Sequence, residues 1–396
     1  MSGQTSTAAS PARRPRVLVM ADWYTPGFRA GGPIRSVVNL AAQLDQALDI
    51  YVLTTDRDLG MDGSYPGIRT DQWIPYGGHQ VCYLSPQRLN WRSITGIIRA
   101  VRPDHIQLNS MFSRFMTIYP LMFRRFGGTR ASVLLASRGM LMASALAVKP
   151  LRKRVFLTLL RIAGIGRIVR FQATNDEEVL DVQRHFGHGA SVVRLGNLPA
   201  PVPTFVPPPP KERGELRMVF IGRAHPIKQP DYLLSLLSDV HSCISLTMVM
   251  TREDDAYAAQ CRQLAAALPP NIAVAFRDDV PHEEITDIIR SNHIFVLPTR
   301  GENFGHSIYE ALAAGRPVLV SDRTPWRGLP EKRAGWDLPL ADPAGFRRCV
   351  EDLAAMDATE LLEWCQGAWR LARSASEESP DRNNYITQFS SCISLD

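Results

Sequence analysis

The stretch of sequence that decides the fold is IFVLPTRGENFGHSIYEALAAGRPVLV, residues 294–320. It opens with four apolar residues, Ile294–Leu297, a pattern typical of a short buried strand. A polar loop, Thr299–Gly305, then leads into apolar positions at helical spacing. Gly315 and Pro317 end this helix before a second apolar run begins. The order of strand, loop, helix and strand predicts one unit of a parallel α/β sheet.

The same alternation extends along the chain in both directions. The runs Val17–Ala21 and Arg217–Gly222 each predict a strand that is followed by a loop and a helix. Pro33 and Pro230 fit the first turn of those two helices, where the missing N–H of proline costs nothing. Repeated units of this kind favour parallel sheets. The sequence therefore predicts an α/β fold of two consecutive domains.

A proline-rich segment separates the two series of units. Pro199, Pro201, Pro203 and the run Pro207–Pro210 continue neither a helix nor a central strand. Such a segment is a stiff, extended spacer, and a long surface loop inside one domain is the alternative. The predicted organisation is a disordered tail (1–15), an N-terminal domain (16–200), a linker (201–215), a C-terminal domain (216–375) and a terminal helix or tail returning toward the N-terminal domain (376–396).

Composition excludes several classes of protein. The six cysteines form no CxxC pair and the nine histidines show no metal-ligand spacing, so we expect neither a metal nor a redox site. No apolar run reaches the ~20 residues needed to span a bilayer. The first fifteen residues lack the apolar core of a signal peptide. These features predict a cytoplasmic protein in a reducing compartment.

The net charge of +6 is mild, but the basic residues cluster. Arg124, Arg125 and Arg130 lie close together, and seven more Lys or Arg fall between Lys149 and Arg170, interleaved with apolar residues. A basic amphipathic stretch of this kind lies on an anionic membrane surface in some proteins. The alternative is a surface helix whose apolar side packs in the core.

The loop of the opening stretch is the first candidate site. Backbone N–H groups from Asn303 onward lie at a helix N-terminus, which favours anions, and Gly305 lets a phosphate approach closely. Phe304 lies between Asn303 and Gly305 in this loop. Glu302 and Glu310 flank the loop, and a carboxylate accepts paired hydrogen bonds from a sugar diol. The pattern favours a nucleotide sugar over the alternative of two solvated acids.

Two further loops carry suitable residues. Arg223 and Lys228 follow the first strand of the C-terminal domain, where both cations can stabilise a leaving diphosphate. Gly31 and Gly32 follow the first strand of the N-terminal domain and form a second glycine-rich turn into a helix. Ordinary surface cations and a tight turn with positive φ are the respective alternatives. Parallel sheets bind ligands beyond the carboxyl ends of their strands, where all these residues lie.

Taken together, these residues resemble family 4 retaining glycosyltransferases of the GT-B fold, which has two facing Rossmann-like domains. The resemblance covers nearly all of residues 16–390. The pair Glu302 and Glu310 is its most specific motif, and Arg223 with Lys228 and the loop at Gly31-Gly32 match further motifs. Three segments are similar to the subgroup that makes bacterial surface polysaccharides: the loop around Tyr24, 137–141 and 324–327. Thr174–Glu178 also resembles a family segment, and its Thr-x-x-Glu spacing predicts a capping box.

The resemblance implies a role for each site residue. Glu310 would hold the ribose, Glu302 would lie beside the donor sugar, and Arg223 and Lys228 would neutralise the diphosphate. Many relatives place a histidine near the donor sugar where this chain has Arg138. Arg138 is therefore a candidate for contact with the donor phosphate or the acceptor, and a domain-interface salt bridge is the alternative.

The function implied is retaining, metal-independent transfer of a hexosyl group from a nucleoside diphosphate sugar. The resemblance implies a lipid-linked or polysaccharide acceptor on the N-terminal domain, no cofactor, and no nucleic-acid partner. Contact with the inner face of the plasma membrane is expected if the basic stretch binds lipid. A nucleotide-sugar epimerase or phosphorylase of the same fold remains an alternative, as does a non-catalytic nucleotide-sugar-binding protein.

Overall fold

The computed structural model describes residues 13–142, 145–146, 150–251 and 254–391. Most of the predicted tail (1–12), Lys149 of the basic stretch and residues 392–396 lie outside the described residues. Arg13 forms an ion pair with Asp104 at 2.8 Å, and Arg14 donates to the main-chain oxygen of Asp45 at 2.7 Å. These contacts hold residues 13 and 14 against the first domain.

The N-terminal domain is an eight-stranded sheet with helices on both faces. Its strand order is β3-β4-β2-β1-β5-β6-β7-β8, and every pairing is parallel except that of β3 with β4. The strands are β1 (Arg16–Met20), β2 (Asp49–Thr55), β3 (Trp73–Tyr76), β4 (His79–Leu84), β5 (His105–Leu108), β6 (Ser132–Ala136), β7 (Arg170–Ala173) and β8 (Val192–Arg194). The helices are α1 (Gly32–Leu44), α2 (Trp91–Val101), α3 (Tyr119–Arg125), α4 (Pro150–Ile162), α5 (Ile165–Ile168) and α6 (Asp176–Phe186).

Strand β1 shows why this sheet is central to the domain. Val17 and Val19 pack on one face, and Leu18 and Met20 pack on the other, so both faces are apolar. A strand that is buried on both sides has a continuous apolar sequence, as parallel sheets require. Helix α1 covers one face, begins one residue before Pro33 and ends at Leu44.

The C-terminal domain is a six-stranded, all-parallel sheet with the order β11-β10-β9-β12-β13-β14. Its strands are β9 (Glu215–Arg223), β10 (Cys243–Thr251), β11 (Ile272–Asp278), β12 (Ile294–Leu297), β13 (Val318–Ser321) and β14 (Gly335–Leu338). Its helices are α7 (Pro230–Leu237), α8 (Asp255–Ala266), α9 (His282–Arg290), α10 (His306–Ala313), α11 (Pro343–Ala355) and α12 (Ala358–Glu377). This is the strand order of a Rossmann-type sheet.

The chain crosses between the domains twice. Residues 195–214 form neither helix nor strand, and the buried Arg316 holds this linker by donating to the carbonyls of Val206 and Pro207 at 3.1 Å. After α12 the chain returns as α13 (Asp381–Ser390), whose Tyr385 and Phe389 join the core of the N-terminal domain. The proline-rich segment is thus hydrogen-bonded along the surface of the C-terminal domain.

Candidate active site

The two sheets each have a point where the strand order reverses, and the candidate residues lie there. In the first sheet the reversal is between β1 and β5, and in the second it is between β9 and β12. Loops at such a point diverge to opposite faces of the sheet and leave a crevice for a ligand. Arg223 ends β9, and the loop 298–305 follows β12. The candidate residues of the C-terminal domain therefore share one crevice.

Lys228 and Glu302 meet directly in this crevice. The Lys228 ammonium donates to the Glu302 carboxylate, and the two side chains are only 16% and 11% exposed. The main chain holds both loops in place, because Arg300 N donates to the Ile227 oxygen at 2.7 Å and Thr299 Oγ1 donates to it at 2.9 Å. The structure thus brings one cation and one acid of the predicted set into contact.

The start of helix α10 has the geometry that the glycine was expected to provide. Gly305 has φ 78° and ψ 61°, in the left-handed region that favours glycine. Trp326 Nε1 donates to the Phe304 oxygen at 2.7 Å and covers the turn. A Cβ on Gly305 would lie 2.9 Å from Ile308 Cδ1. The first N–H groups of the helix therefore emerge into the crevice beside Lys228 and Glu302.

Glu310 lies in the first turns of helix α10, and 21% of its side chain is exposed. Burial raises the pKa of its carboxyl to about 7, although the nearby positive charge of Arg35 opposes this. His282 Nε2 lies 3.8 Å from Glu310 Oε1, but burial and Arg35 lower the pKa of His282 to about 4. The imidazole is consequently neutral near pH 7, so Arg35, which comes from the opposite domain, is the principal cation acting on Glu310.

The two domains touch where the glycine loop faces helix α10. His306 Nε2 lies 2.9 Å from Ser36 Oγ, and a Cβ on Gly32 would lie 3.2 Å from His306 Cδ2. Gly31 has φ 65°, which sets the entry into α1. Burial, followed by the charge of Arg138, lowers the pKa of His306 to about 3. A neutral imidazole therefore fills the gap between the domains.

Arg138 lies beyond the carboxyl end of β6 and faces the same cleft. It donates to Asn109 Oδ1 at 2.8 Å and to Asn197 Oδ1, and burial lowers the pKa of its guanidinium. Its backbone has φ 52°, which is uncommon for a residue other than glycine and recurs at functional sites. Both side-chain partners are neutral amides of its own domain, so the interface salt bridge considered as an alternative is not what holds Arg138.

The predicted capping box at Thr174 is wrong by one residue. Helix α6 begins at Asp176, and its N-cap is Asn175, whose side chain accepts from Glu178 N at 2.8 Å. The Glu178 carboxylate accepts from Thr174 N at 2.8 Å and from Gly139 N at 2.6 Å. Glu178 therefore fixes the turn that carries Arg138, a long-range contact that local spacing does not reveal.

Asn303 joins this network from the opposite domain. Its Oδ1 accepts from Thr174 Oγ1 at 2.7 Å and from Asn175 Nδ2 at 3.3 Å. Sequence reasoning had named Asn303 only for its backbone N–H. Across the described ranges, the structure brings together no group of three or more His, Cys, Asp or Glu that could hold a metal ion.

Several residues at the site were not singled out from the sequence: Arg35, Ser36, Asn109, Asn197 and the side chain of His306. Arg35 and Ser36 carried a signal, because they lie one turn after Gly32 on the face of α1 that faces the cleft. Asn109 follows β5 directly and Asn197 lies in the loop after β8, so the position of both beyond a strand end was also detectable. That Arg138 binds both asparagines was not detectable from the sequence.

Comparison with known proteins agrees with this geometry. Residues 215–356 match the family described as "Glycosyl transferases group 1". A D-inositol 3-phosphate glycosyltransferase of Streptomyces scabiei is 28% identical over 220 residues, which cover 49% of this chain and 49% of the relative. The corresponding enzyme of Streptomyces coelicolor is 29% identical over 232 residues, 49% of this chain and 50% of the relative. The chain thus matches about half the length of these curated relatives.

Solved structures extend the likeness to the whole chain. A sucrose-phosphate synthase from Thermosynechococcus elongatus superposes with a TM-score of 0.70 at 15% identity, covering 95% of this chain and 98% of the other. Anabaena HepE in complex with UDP and glucose superposes with a TM-score of 0.65 at 12% identity, covering 95% and 99%. At these identities the likeness concerns the fold, and the prediction of a GT-B fold with two Rossmann-like domains is confirmed.

Proposed function

We propose that this chain is a retaining, metal-independent glycosyltransferase that moves a hexosyl group from a nucleoside diphosphate sugar to a lipid-linked or polysaccharide acceptor. The observation that carries the proposal is the contact of Lys228 with Glu302 beside the N-terminus of α10. It joins a cation for the diphosphate, a carboxylate for a diol and free backbone N–H groups in one crevice. The match of residues 215–356 to group 1 glycosyl transferases supports it.

The donor occupies the C-terminal side of the cleft in this proposal. The N–H groups from Asn303 to His306 bind the diphosphate, and Arg223 and Lys228 neutralise the charge that develops as it leaves. Glu310 accepts hydrogen bonds from the ribose, and Glu302 accepts them from the sugar. UDP and UDP-glucose are the first ligands to test, because Anabaena HepE was solved with both.

The transfer step breaks the bond between the anomeric carbon and the phosphate oxygen and forms a bond to the acceptor oxygen on the same face. The acceptor hydroxyl gives its proton to the departing phosphate. The configuration is retained because attack and departure occur on the same face of the anomeric carbon. Stabilising that phosphate is the main task left to the protein, and in this proposal Arg223 and Lys228 perform it. In this proposal Arg138, from the other domain, contacts the donor phosphate or the acceptor.

The acceptor lies on the N-terminal side, and we infer a role in bacterial surface or extracellular polysaccharide synthesis at the inner face of the plasma membrane. The similarity of the loop around Tyr24 and of segments 137–141 and 324–327 to that subgroup supports this acceptor class. The names of the Streptomyces relatives add a phosphorylated polyol as a second acceptor to include in the assay.

A two-step experiment tests the proposal. A panel of nucleotide sugars is first screened for thermal stabilisation, since a ligand at 100 times its Kd stabilises the native state by about 2.7 kcal/mol. The stabilising donor is then incubated with lipid-linked, glycan and inositol phosphate acceptors, and the anomeric configuration of the product is determined by NMR. Transfer with retention is the expected result.

Other outcomes separate the alternatives. Epimerisation of the donor without transfer indicates an epimerase, and sugar phosphate formed from a glycan and inorganic phosphate indicates a phosphorylase. Binding without turnover across all acceptors indicates a binding protein. An inverted product contradicts the retaining mechanism while leaving the donor site intact.

A further inference from the structure

Helix α4 carries an exposed apolar stripe that nothing in the described chain covers. Leu151, Val155, Leu159 and Ile162 follow one another at helical spacing and are 52% to 77% exposed. Phe126 is 77% exposed and lies nearby, because Arg125 Nε donates to the Ala163 oxygen at 2.9 Å and joins the ends of α3 and α4. We call these five residues the docking face. A monomeric protein leaves a contiguous apolar patch exposed where another surface meets it.

The opposite side of α4 is firmly packed, so the docking face does not result from a detached helix. Leu157 and Leu160 are buried in the domain core. The Phe156 ring lies 5.4 Å from the Phe112 ring, and Lys153 Nζ donates to the Ala145 oxygen at 2.6 Å. One face of the helix therefore packs in the core, which was one of the two alternatives from the sequence. A second apolar face is still exposed to solvent.

Positive charge borders the docking face on both sides. A helix turns by roughly 100° per residue, which places Arg152 on one edge of the stripe and Arg154 and Arg161 on the other. All three are exposed. The surrounding sequence contains twelve Lys and Arg but not one Asp or Glu between His105 and Asn175. Since the whole chain has a net charge of only +6, the remainder is net acidic and the charge is concentrated on this region.

We propose that the docking face binds the surface of an anionic phospholipid bilayer, with its apolar side chains among the acyl chains and its arginines at the headgroups. An apolar stripe between two rows of cations is the arrangement of helices that lie in the membrane interface. A second copy of the chain is a poor occupant, because a symmetric dimer places the same patch on both sides and would oppose cations with cations. None of the described helices has the length and apolar composition needed to cross a bilayer.

The position of α4 connects the docking face to the cleft. Phe112, on which α4 packs, follows the carboxyl end of β5, the edge of the sheet that faces the candidate active site. The bilayer would therefore lie next to the acceptor side of the cleft, where a lipid-linked substrate can enter while its lipid stays in the membrane. This consequence rests on the proposed function, whereas lipid binding itself does not.

Vesicle co-sedimentation of the full chain tests lipid binding. We expect binding to phosphatidylcholine vesicles that contain phosphatidylglycerol, little binding to phosphatidylcholine alone, and a loss of affinity with added salt. The triple variant Arg152→Gln, Arg154→Gln, Arg161→Gln should bind the anionic vesicles roughly 10²-fold more weakly, because each cation near such a surface contributes about a fivefold factor. Arg277→Gln, Arg348→Gln, Arg370→Gln is the matched control, since it removes three exposed arginines of the other domain.

A second pair of variants tests the apolar side chains. Leu151→Gln with Leu159→Gln should weaken vesicle binding, whereas Leu180→Gln, at a comparably exposed apolar residue of α6, should not. The proposal would be overturned if the triple arginine variant and its matched control bound anionic vesicles equally. Equal binding of the parent to neutral and anionic vesicles would also overturn it. Binding to acidic polypeptide that is unaffected by Leu151→Gln with Leu159→Gln would indicate a protein partner and contradict it. Donor binding is measured separately by thermal shift, so failure of the proposed function is distinguishable from failure of lipid binding.

Discussion

Glu310 combines a partly buried carboxyl with a position in the proposed donor site, and its titration is open to measurement. Burial raises its pKa to about 7 from 4.5, so the folded state holds the proton more tightly than the unfolded state does. Stability from this group is therefore fully present below pH 4.5 and is lost as the pH rises to about 7. The ionised carboxylate is retained at a cost to stability, which is typical of a group that binds a ligand.

Replacing Glu310 by Gln should remove that cost. The free energy of unfolding of Glu310→Gln, relative to that of the parent, should rise as the pH goes from 5 to 8, by at most about 3 kcal/mol. Urea unfolding at both pH values measures the change. Glu284→Gln, at an exposed carboxyl of α9, is the control. An unchanged difference between Glu310→Gln and the parent across this pH range would contradict a raised pKa. The same variant should bind the donor more weakly.

Lys228 is held by Glu302 before any ligand binds, so the ammonium is already positioned. Lys228→Ala removes a charge that is needed most when the diphosphate leaves. Turnover should fall by roughly 10²-fold or more, as for lost transition-state donors elsewhere, and Arg223→Ala should act in the same direction. Steady-state kinetics with the donor found above gives kcat and KM separately. Arg323→Ala, at an exposed cation of a neighbouring loop, should retain activity; transfer by Lys228→Ala at the parent rate rules out the diphosphate role.

At the scale of an element, helix α10 is the central feature, because its first turn forms the proposed anion site. Its entry depends on Gly305, whose left-handed backbone would cost an alanine roughly 1 kcal/mol, and whose missing Cβ leaves room for Ile308 and Trp326. Helix α6 opposes it across the cleft through Thr174 and Asn303. The two helix starts, one from each domain, therefore meet across the cleft.

Gly305→Ala should lower stability by about 1–2 kcal/mol and weaken donor binding, since the Cβ displaces Ile308 or Trp326 at the phosphate position. Gly301→Ala is the matched control, because a Cβ there meets nothing within 4 Å and Gly301 is not among the glycines with positive φ. Thermal unfolding and isothermal titration with the donor measure the two effects. Equal donor affinity in both variants would contradict a phosphate position at Gly305.

At the scale of the whole molecule, the domains meet through a few polar contacts around the cleft. Arg29, in the loop after β1, forms an ion pair with Asp279 after β11 at 2.5 Å. Ser36 meets His306, and Thr174 meets Asn303. Interfaces of this polar kind permit relative domain motion. The contacts between the domains at the cleft are therefore individually weak.

Asp279→Asn should shift the chain toward open forms. Asn tolerates the positive φ of 50° at this position, so the change removes the charge and keeps the backbone. Loss of about 1 kcal/mol changes the ratio of open to closed forms roughly fivefold. Small-angle scattering should show a larger radius of gyration that the donor restores. Glu284→Gln removes the ion pair with Arg277 inside one domain and should leave the radius of gyration unchanged. A radius of gyration in Asp279→Asn equal to that of the parent would show that the Arg29–Asp279 pair does not hold the domains together.

The sequence by itself determined the alternation of strands and helices, the two-domain α/β fold and the loops that carry the candidate site. These depend on local patterns, such as the apolar run Ile294–Leu297 and the breaks at Gly315 and Pro317. Strands β3, β8 and β14 escaped prediction, because Trp73–Tyr76, Val192–Arg194 and Gly335–Leu338 are short and only partly buried at the sheet edges. Edge strands lack the continuous apolar pattern of central ones.

Only the tertiary structure decided how the two halves of the site face each other. His306 meets Ser36 across 270 positions of sequence, and Arg138 is held by Asn109 and Asn197 from two other strand ends. The tertiary structure also raises the pKa of Glu310 and leaves the apolar stripe of α4 exposed. Contacts and burial of this kind depend on distances through space, which no local pattern contains. The opening stretch thus predicted half of the cleft, and folding determined what lies opposite.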